Sequence, residues 1–122
     1  LKELTYHERH FSMWLKRLGD GTEESHERTQ TAINELWMFV GELYQEDAID
    51  LMAQKASFAP TGAEMKTFLM EHINAKFTES TLKVPESVYM TTGSKNGIHT
   101  EYLGFLLTEM QYLQRAYPDA KW

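Results

Sequence analysis

Two glutamates and two histidines fall within residues 3–10, ELTYHERH, a density of carboxylate and imidazole that looks like half of a metal site. On an α-helix Glu3, His7 and His10 are four and three residues apart, so they can share one face. Helical di-iron carboxylate proteins use Glu-x-x-His on each of two helices and a further glutamate from each of two others. Here the position three after Glu3 is Tyr6, and the histidine falls one later, at His7. No second Glu-x-x-His lies on an apolar stripe, and the stripes themselves carry no glutamate. The favoured reading of His7 is therefore a core histidine, hydrogen-bonded to a neighbouring carboxylate that offsets the cost of burying it, rather than a working ligand.

Other candidates are weaker. Glu23-x-x-His26 matches the ligand spacing, but it opens a helix in the polar run DGTEESHERTQ, where acidic residues suit the helix dipole. His72 lies on an apolar stripe with Glu71 pointing elsewhere and reads as a core or interface histidine. The segment TTGSKNGIHTE, 91–101, is the best loop candidate. Gly93 and Gly97 allow unusual backbone angles, Ser94 and Lys95 bring a hydroxyl and a positive charge, and a helix N-terminus follows. Such a loop can hold a phosphate or touch a partner, although GxxxxGK[ST] is absent and a plain exposed turn is the simpler reading. No Ser/His/Asp arrangement stands out, and without any cysteine there is no disulfide, thiolate ligand or Cys nucleophile.

The elements that position these residues are helices. Leu4, His7, Phe11, Trp14 and Leu18 recur at spacings of three and four and predict a helix over 1–18, with Gly19 and Gly21 ending it and turning the chain. A second helix is expected over 23–45, with Ala32, Ile33, Leu36, Trp37, Val40, Leu43 and Tyr44 on its buried side. A shorter helical piece follows in QEDAIDLMAQK. Thr61 and Glu64 form a capping box that starts the next helix, which ends near Ser80. Residues 81–97 have no period and read as a long extended connection. The last helix spans 98–117 and stops at Pro118. The class is all-α, four main helices with antiparallel neighbours, in one domain of 122 residues. A net charge of −6 makes nucleic acid an unsuitable partner. No apolar run is long enough to span a membrane, and the reading is an intracellular domain. The chain starts at Leu1 inside a helical pattern with no cap ahead of it, which suggests a fragment of a longer chain.

The closing segment TGSKNGIHTEYLGFLLTEMQYLQRAYPDAKW resembles the C-terminus of the non-catalytic ferritin-like subunit of bacterial ring-1,2-phenylacetyl-CoA epoxidase. RLGDGTEESHERTQTAINELW, TLKVPESVYMTTG and ELTYHERHFSMWLKRLG are similar to the same family. The likeness covers all of this chain and the second half of the family's subunit. It implies the C-terminal part of a ferritin-like bundle over 1–122. It further implies a cytoplasmic complex that epoxidises phenylacetyl-CoA with O₂ in aerobic phenylacetate breakdown, with electrons from NADPH through a reductase. The resemblance puts the di-iron centre in a separate catalytic partner subunit and no cofactor in this chain, which acts as scaffold. Glu3 and His7 then sit where a catalytic relative carries ligands, with Tyr6 in the histidine slot. The Gly93, Ser94, Lys95 and Gly97 loop becomes a candidate contact to the partner or to a coenzyme A phosphate. A catalytic di-iron subunit with its other ligands in the N-terminal half, and a generic helical interaction module, are the alternatives. Either way, apolar stripes left bare by half a bundle are expected to lie against a second copy or the rest of the same chain.

Overall fold

The computed structural model describes residues 2–87 and 89–121, and among these it contains helices and no strand. The all-α class holds. The expectation attached to Leu1 lies outside the described residues. Residues 1–91 and 92–122 form two compact units.

In the first unit α1 (Lys2–Gly19) packs against α2 (Glu23–Leu36) and α4 (Gly62–Glu79), with the short α3 (Ala48–Lys55) between. Local signals start three of these helices. Thr22 Oγ1 accepts from the Ser25 amide at 3.2 Å to open α2. Asp47 and Asp50 cap α3 reciprocally, as do Thr61 and Glu64 at α4. In the second box the Glu64 carboxylate accepts the Thr61 amide at 2.7 Å and the Thr61 hydroxyl at 2.8 Å. These bonds to the ionised form, the backbone one first, hold the Glu64 carboxyl below its ordinary value.

The corner between α1 and α2 differs from the glycine turn expected of RLGDGT. Neither Gly19 nor Gly21 has a positive φ. Gly19 is there for close approach: a Cβ on it would lie 2.4 Å from the Ser80 carbonyl oxygen and 2.9 Å from Leu82. The last carbonyls of α1, which have no partner within the helix, are capped by side chains. Ser25 Oγ donates to Leu18 O at 2.7 Å, and Thr81 Oγ1 donates to Gly19 O at 3.0 Å. His26 Nδ1 reaches the same Gly19 oxygen at 2.7 Å. His26, expected on a solvated helix start, is instead half-buried and ties α1 to α2.

The helix expected over 23–45 changes character at its middle. It is α-helical to Leu36, then 3₁₀ over Trp37–Tyr44. A strap of non-helical chain, described over residues 82–87 and 89–91, runs beside this stretch. Gln30 clasps the strap through both ends of its amide, accepting the Lys83 amide and donating to the Lys83 carbonyl, each at 2.9 Å. Further on, the Thr91 amide donates to Met38 O at 2.8 Å. Met90 covers Gly41, where a Cβ would lie 2.9 Å from the Met90 Cβ.

The buried core of this unit is small: Ser80, Trp37 and Leu82, with Gly19 and Gly41 at the close approaches. Trp37 meets Phe77 with ring centroids 6.3 Å apart. The stripes that periodicity identifies are helical but largely bare, with Leu4, Phe11, Trp14 and Leu18 on α1 all exposed.

In the second unit the helix expected over 98–117 begins later and is interrupted: α5 spans Glu101–Met110 and α6 Tyr112–Ala116. Thr108 Oγ1 donates back to Gly104 O at 2.8 Å, a bond that competes with the helix ladder and favours a bend. Tyr117 leaves helical geometry just before Pro118, as the residue ahead of a proline tends to.

Candidate functional site

Glu3, Tyr6, His7 and His10 lie along one side of α1, with His10 half-buried and the others exposed, while Glu8 points round the helix towards α4. Glu3 sits in the first turn, where its charge suits the helix dipole. His7 is exposed, which corrects the expectation of a core histidine. Its imidazole stacks on Phe11, four residues on, with centroids 6.3 Å apart and planes 24° from parallel. Tyr6 stacks on His10 at 5.9 Å, and His10 meets Trp14 edge-on at 6.5 Å. These i, i+4 pairs make two short ring ladders along the helix surface. Arg17 extends the second, its guanidinium 5.6 Å over the Trp14 ring.

Beside the ladders, α1 and α4 enclose an open, mainly apolar groove of about 390 Å³, lined by Phe11, Trp14, Leu15 and Leu18 on one side and Ile73 and Phe77 on the other. At its rim His72, half-buried and stacked on Phe68, places Nε2 3.7 Å from Glu8 Oε1. This pair was not legible in the sequence. Glu8 and His72 are far apart along the chain, and periodicity gives each helix a face without the register between two helices. A largely exposed pair at this distance contributes roughly 0–1 kcal/mol.

The described residues do not by themselves make up a di-iron centre. Glu8 and His72 are a single carboxylate–imidazole pair, whereas such a centre draws on two Glu-x-x-His pairs and two further glutamates. Among the described residues no three His, Asp or Glu side chains come together to share a metal ion. Glu3 and His7 are not joined by a third donor, and the aromatic ring of Tyr6 is committed to His10. What this face does present is exposed rings and an open, mainly apolar groove.

The 93–97 loop is a self-closed turn. Gly93 and Gly97 have φ of +113° and +80°, the left-handed region that favours glycine, and flank a 3₁₀ turn over Ser94–Asn96. The amides of Asn96 and Ile98 both donate to Gly93 O at 2.9 Å, and the Gly97 amide donates to Ser94 O. Three amides that a phosphate cradle would use are thus engaged by the loop's own carbonyls.

The match to known proteins decides what kind of helical chain this is. Residues 1–122 match, from end to end, the family model described as phenylacetic acid catabolic protein. The chain belongs to that family. It is also 42% identical over 122 residues to one of the subunits of 1,2-phenylacetyl-CoA epoxidase from Escherichia coli (strain K12). The alignment covers 100% of this chain and 49% of the relative, so the chain spans about half the length of the curated relative it matches. The family membership agrees with the resemblance carried by the closing segment and with an all-α, ferritin-like architecture. No helix among the described residues is long and apolar enough to cross a membrane.

Proposed function

We propose that this chain is the C-terminal part of a structural, non-catalytic subunit of a multicomponent di-iron oxygenase that epoxidises phenylacetyl-CoA in aerobic phenylacetate catabolism. Its work is to hold a catalytic ferritin-like partner, which carries the iron and receives electrons originating from NADPH, in the cytoplasm. The observation that carries this reading is the end-to-end 42% identity to a protein named as a subunit of 1,2-phenylacetyl-CoA epoxidase. The geometry supports the scaffold role at one place: the α1–α4 face presents ring ladders and an apolar groove suited to a protein surface.

Iron analysis of the purified full-length protein tests the non-catalytic half of the reading. Sub-stoichiometric iron is expected, and two iron atoms per chain would overturn it in favour of a catalytic role. Co-purification tests the other half. The full-length protein should bring down a ferritin-like partner that binds iron, and the charge-introducing Phe11→Asp should weaken the capture at least tenfold while leaving the fold intact by circular dichroism. Capture unaffected by Phe11→Asp removes the α1–α4 face from the interface. For the 93–97 loop we propose contact to the partner or to a coenzyme A phosphate through Lys95. Lys95→Glu should raise the dissociation constant for one of them, and unchanged constants for both return the loop to a plain turn.

A further inference from the structure

The short helix α3 turns its polar side inward and its apolar side out. Asp50 and Gln54 are half-buried. The Asp50 carboxylate accepts the Asp47 amide at 2.9 Å, and Gln54 Nε2 donates to Glu46 Oε1, which also accepts the Gly62 amide at 2.8 Å. These bonds tie α3 to the start of α4. Ala48, Leu51, Met52 and Lys55 are the i, i+3, i+4 and i+7 positions of one face, and all are exposed, Leu51 by 50% and Met52 by 66%. Ile49 flanks them, also exposed. A helix of a soluble domain ordinarily buries such a stripe, so this one asks for a surface that residues 1–91 do not supply.

The loop that follows adds an aromatic ring at the end of α3. The helix closes in a Schellman motif: the Phe58 amide donates to Ala53 O and the Ser57 amide to Gln54 O, each at 2.9 Å, with Ser57 at φ +60° in the left-handed region. An apolar residue at the Phe58 position of such a motif commonly packs back on the helix it ends. Here Phe58 is 88% exposed. The loop is fixed on its far side too, by the Thr61–Glu64 capping box. A large ring held out on a backbone bonded at both ends can bind with little ordering cost, which is what an interface anchor requires. None of these residues lines the α1–α4 groove.

We infer that α3 and Phe58 form a self-association surface, on which a second copy of this chain docks its own α3 antiparallel across a two-fold axis. A two-fold interface must be complementary to itself, and α3 is. It carries Asp47 and Asp50 at its start and Lys55 at its end, so reversal sets each Lys55 beside the acidic first turn of the other copy. With the axis between Leu51 and Met52, each Leu51 meets the opposing Met52. The Lys55 stem then lies over the small opposing Ala48, with its ammonium reaching towards Asp47. The opposed helix dipoles add to the fit. A few side chains from each copy make a small interface, so the dimer is weak and concentration-dependent. The inference stands whether or not the subunit is catalytic, and whatever occupies the α1–α4 groove.

The test is sedimentation velocity of the full-length protein from about 1 μM to about 1 mM, where a small interface changes occupancy. The mean mass is expected to rise from monomer to dimer across that range. Met52→Lys and Met52→Glu each bring like charges together at the axis and should raise the dissociation constant by roughly tenfold or more, with the circular dichroism unchanged because Met52 is exposed. Mixed in equal amounts, the two variants should dimerise again, a rescue that requires Met52 of one copy to face Met52 of the other. Phe58→Ser, away from the axis, should weaken the dimer as well. A protein that stays monomeric throughout overturns the inference and leaves this face to the rest of the family-length chain or to a different protein. A dimer that Met52→Lys does not weaken, or that the mixture does not restore, overturns it too, because the contact between copies then lies elsewhere.

Discussion

Gly19→Ala should destabilise the protein by about 2 kcal/mol, although helix propensity alone argues the opposite sign. Gly19 has an ordinary helical φ, so alanine fits its backbone and gains roughly 0.5–1 kcal/mol from a less flexible unfolded chain. Against that stands the space. The new Cβ would lie 2.4 Å from the Ser80 carbonyl oxygen, against the 3.4 Å at which ordinary contact begins, so one backbone must retreat by 1.0 Å, the difference of those two distances. Overpacking of this kind costs about 1–3 kcal/mol. The retreat also loosens the bonds that His26 and Thr81 make to Gly19 O, each worth about 0.5–1.5 kcal/mol net. Taking about 2 for the clash and about 1 for one lost bond, less the gain in propensity, leaves about 2 kcal/mol.

The measurement is urea denaturation of the full-length protein, with Gly19→Ala, Leu82→Ala and the double variant compared. Leu82 Cδ1 and Cγ also stand 2.9 Å from the added Cβ, so trimming Leu82 relieves part of the clash. The double variant should therefore be less destabilised than the sum of the singles, by about 1 kcal/mol. Were Gly19→Ala as stable as the parent, or were the two changes additive, Gly19 would not be a close-approach position against Ser80 and Leu82.

Further expectations follow from the same structure. His26→Ala should cost about 1 kcal/mol in denaturant unfolding, and Thr81→Val a similar amount, with the pair less than additive because both bond to Gly19 O. Gly93→Ala places a side chain at φ +113° and 3.1 Å from the Ile98 Cβ; the strain should destabilise the loop by about 1–3 kcal/mol, seen as faster amide exchange at Asn96 and Ile98. Glu64 has its folded pKa lowered from 4.5, so its capping bonds contribute above the unfolded value and are lost as the pH falls through the folded one. Glu64→Gln should therefore flatten the acid limb of the stability curve below about pH 4.5, read by thermal melts across that range.

The features legible in the sequence were those decided within a few residues of chain. Thr61 and Glu64 form their capping box because both partners lie inside one turn, and α4 ends at Glu79 beside the expected Ser80. Helix existence was legible for the same reason, since an apolar recurrence of three and four needs no knowledge of the neighbour. What escaped depends on residues distant in sequence. Gly19 reads as a turn glycine because its true reason, the Ser80 carbonyl 61 positions later, is invisible from RLGDGT. His26 reads as polar surface because the oxygen it caps belongs to the preceding helix. The 3₁₀ stretch shares its apolar positions with an α-helix, and its contacts at Met38, Gly41 and Trp37 come from residues distant in sequence.

His7 shows why a stripe is weaker evidence than it looks. Periodicity places His7 in line with Leu4, Phe11 and Trp14, and the structure confirms that the line exists. Burial is a property of the line and whatever faces it, and within residues 1–91 only part of α1 is faced, by α2 and α4. On the bare part an imidazole stacked on Phe11 needs no carboxylate partner, because its polar atoms remain in water. If a second layer covers α1, His7 would lose that water and require a hydrogen-bond partner from the covering chain. The exposed reading is the one the structure supports, and the inward one would need a covering neighbour. Amide and imidazole exchange at His7, compared before and after the full-length protein binds its partner, would distinguish them directly.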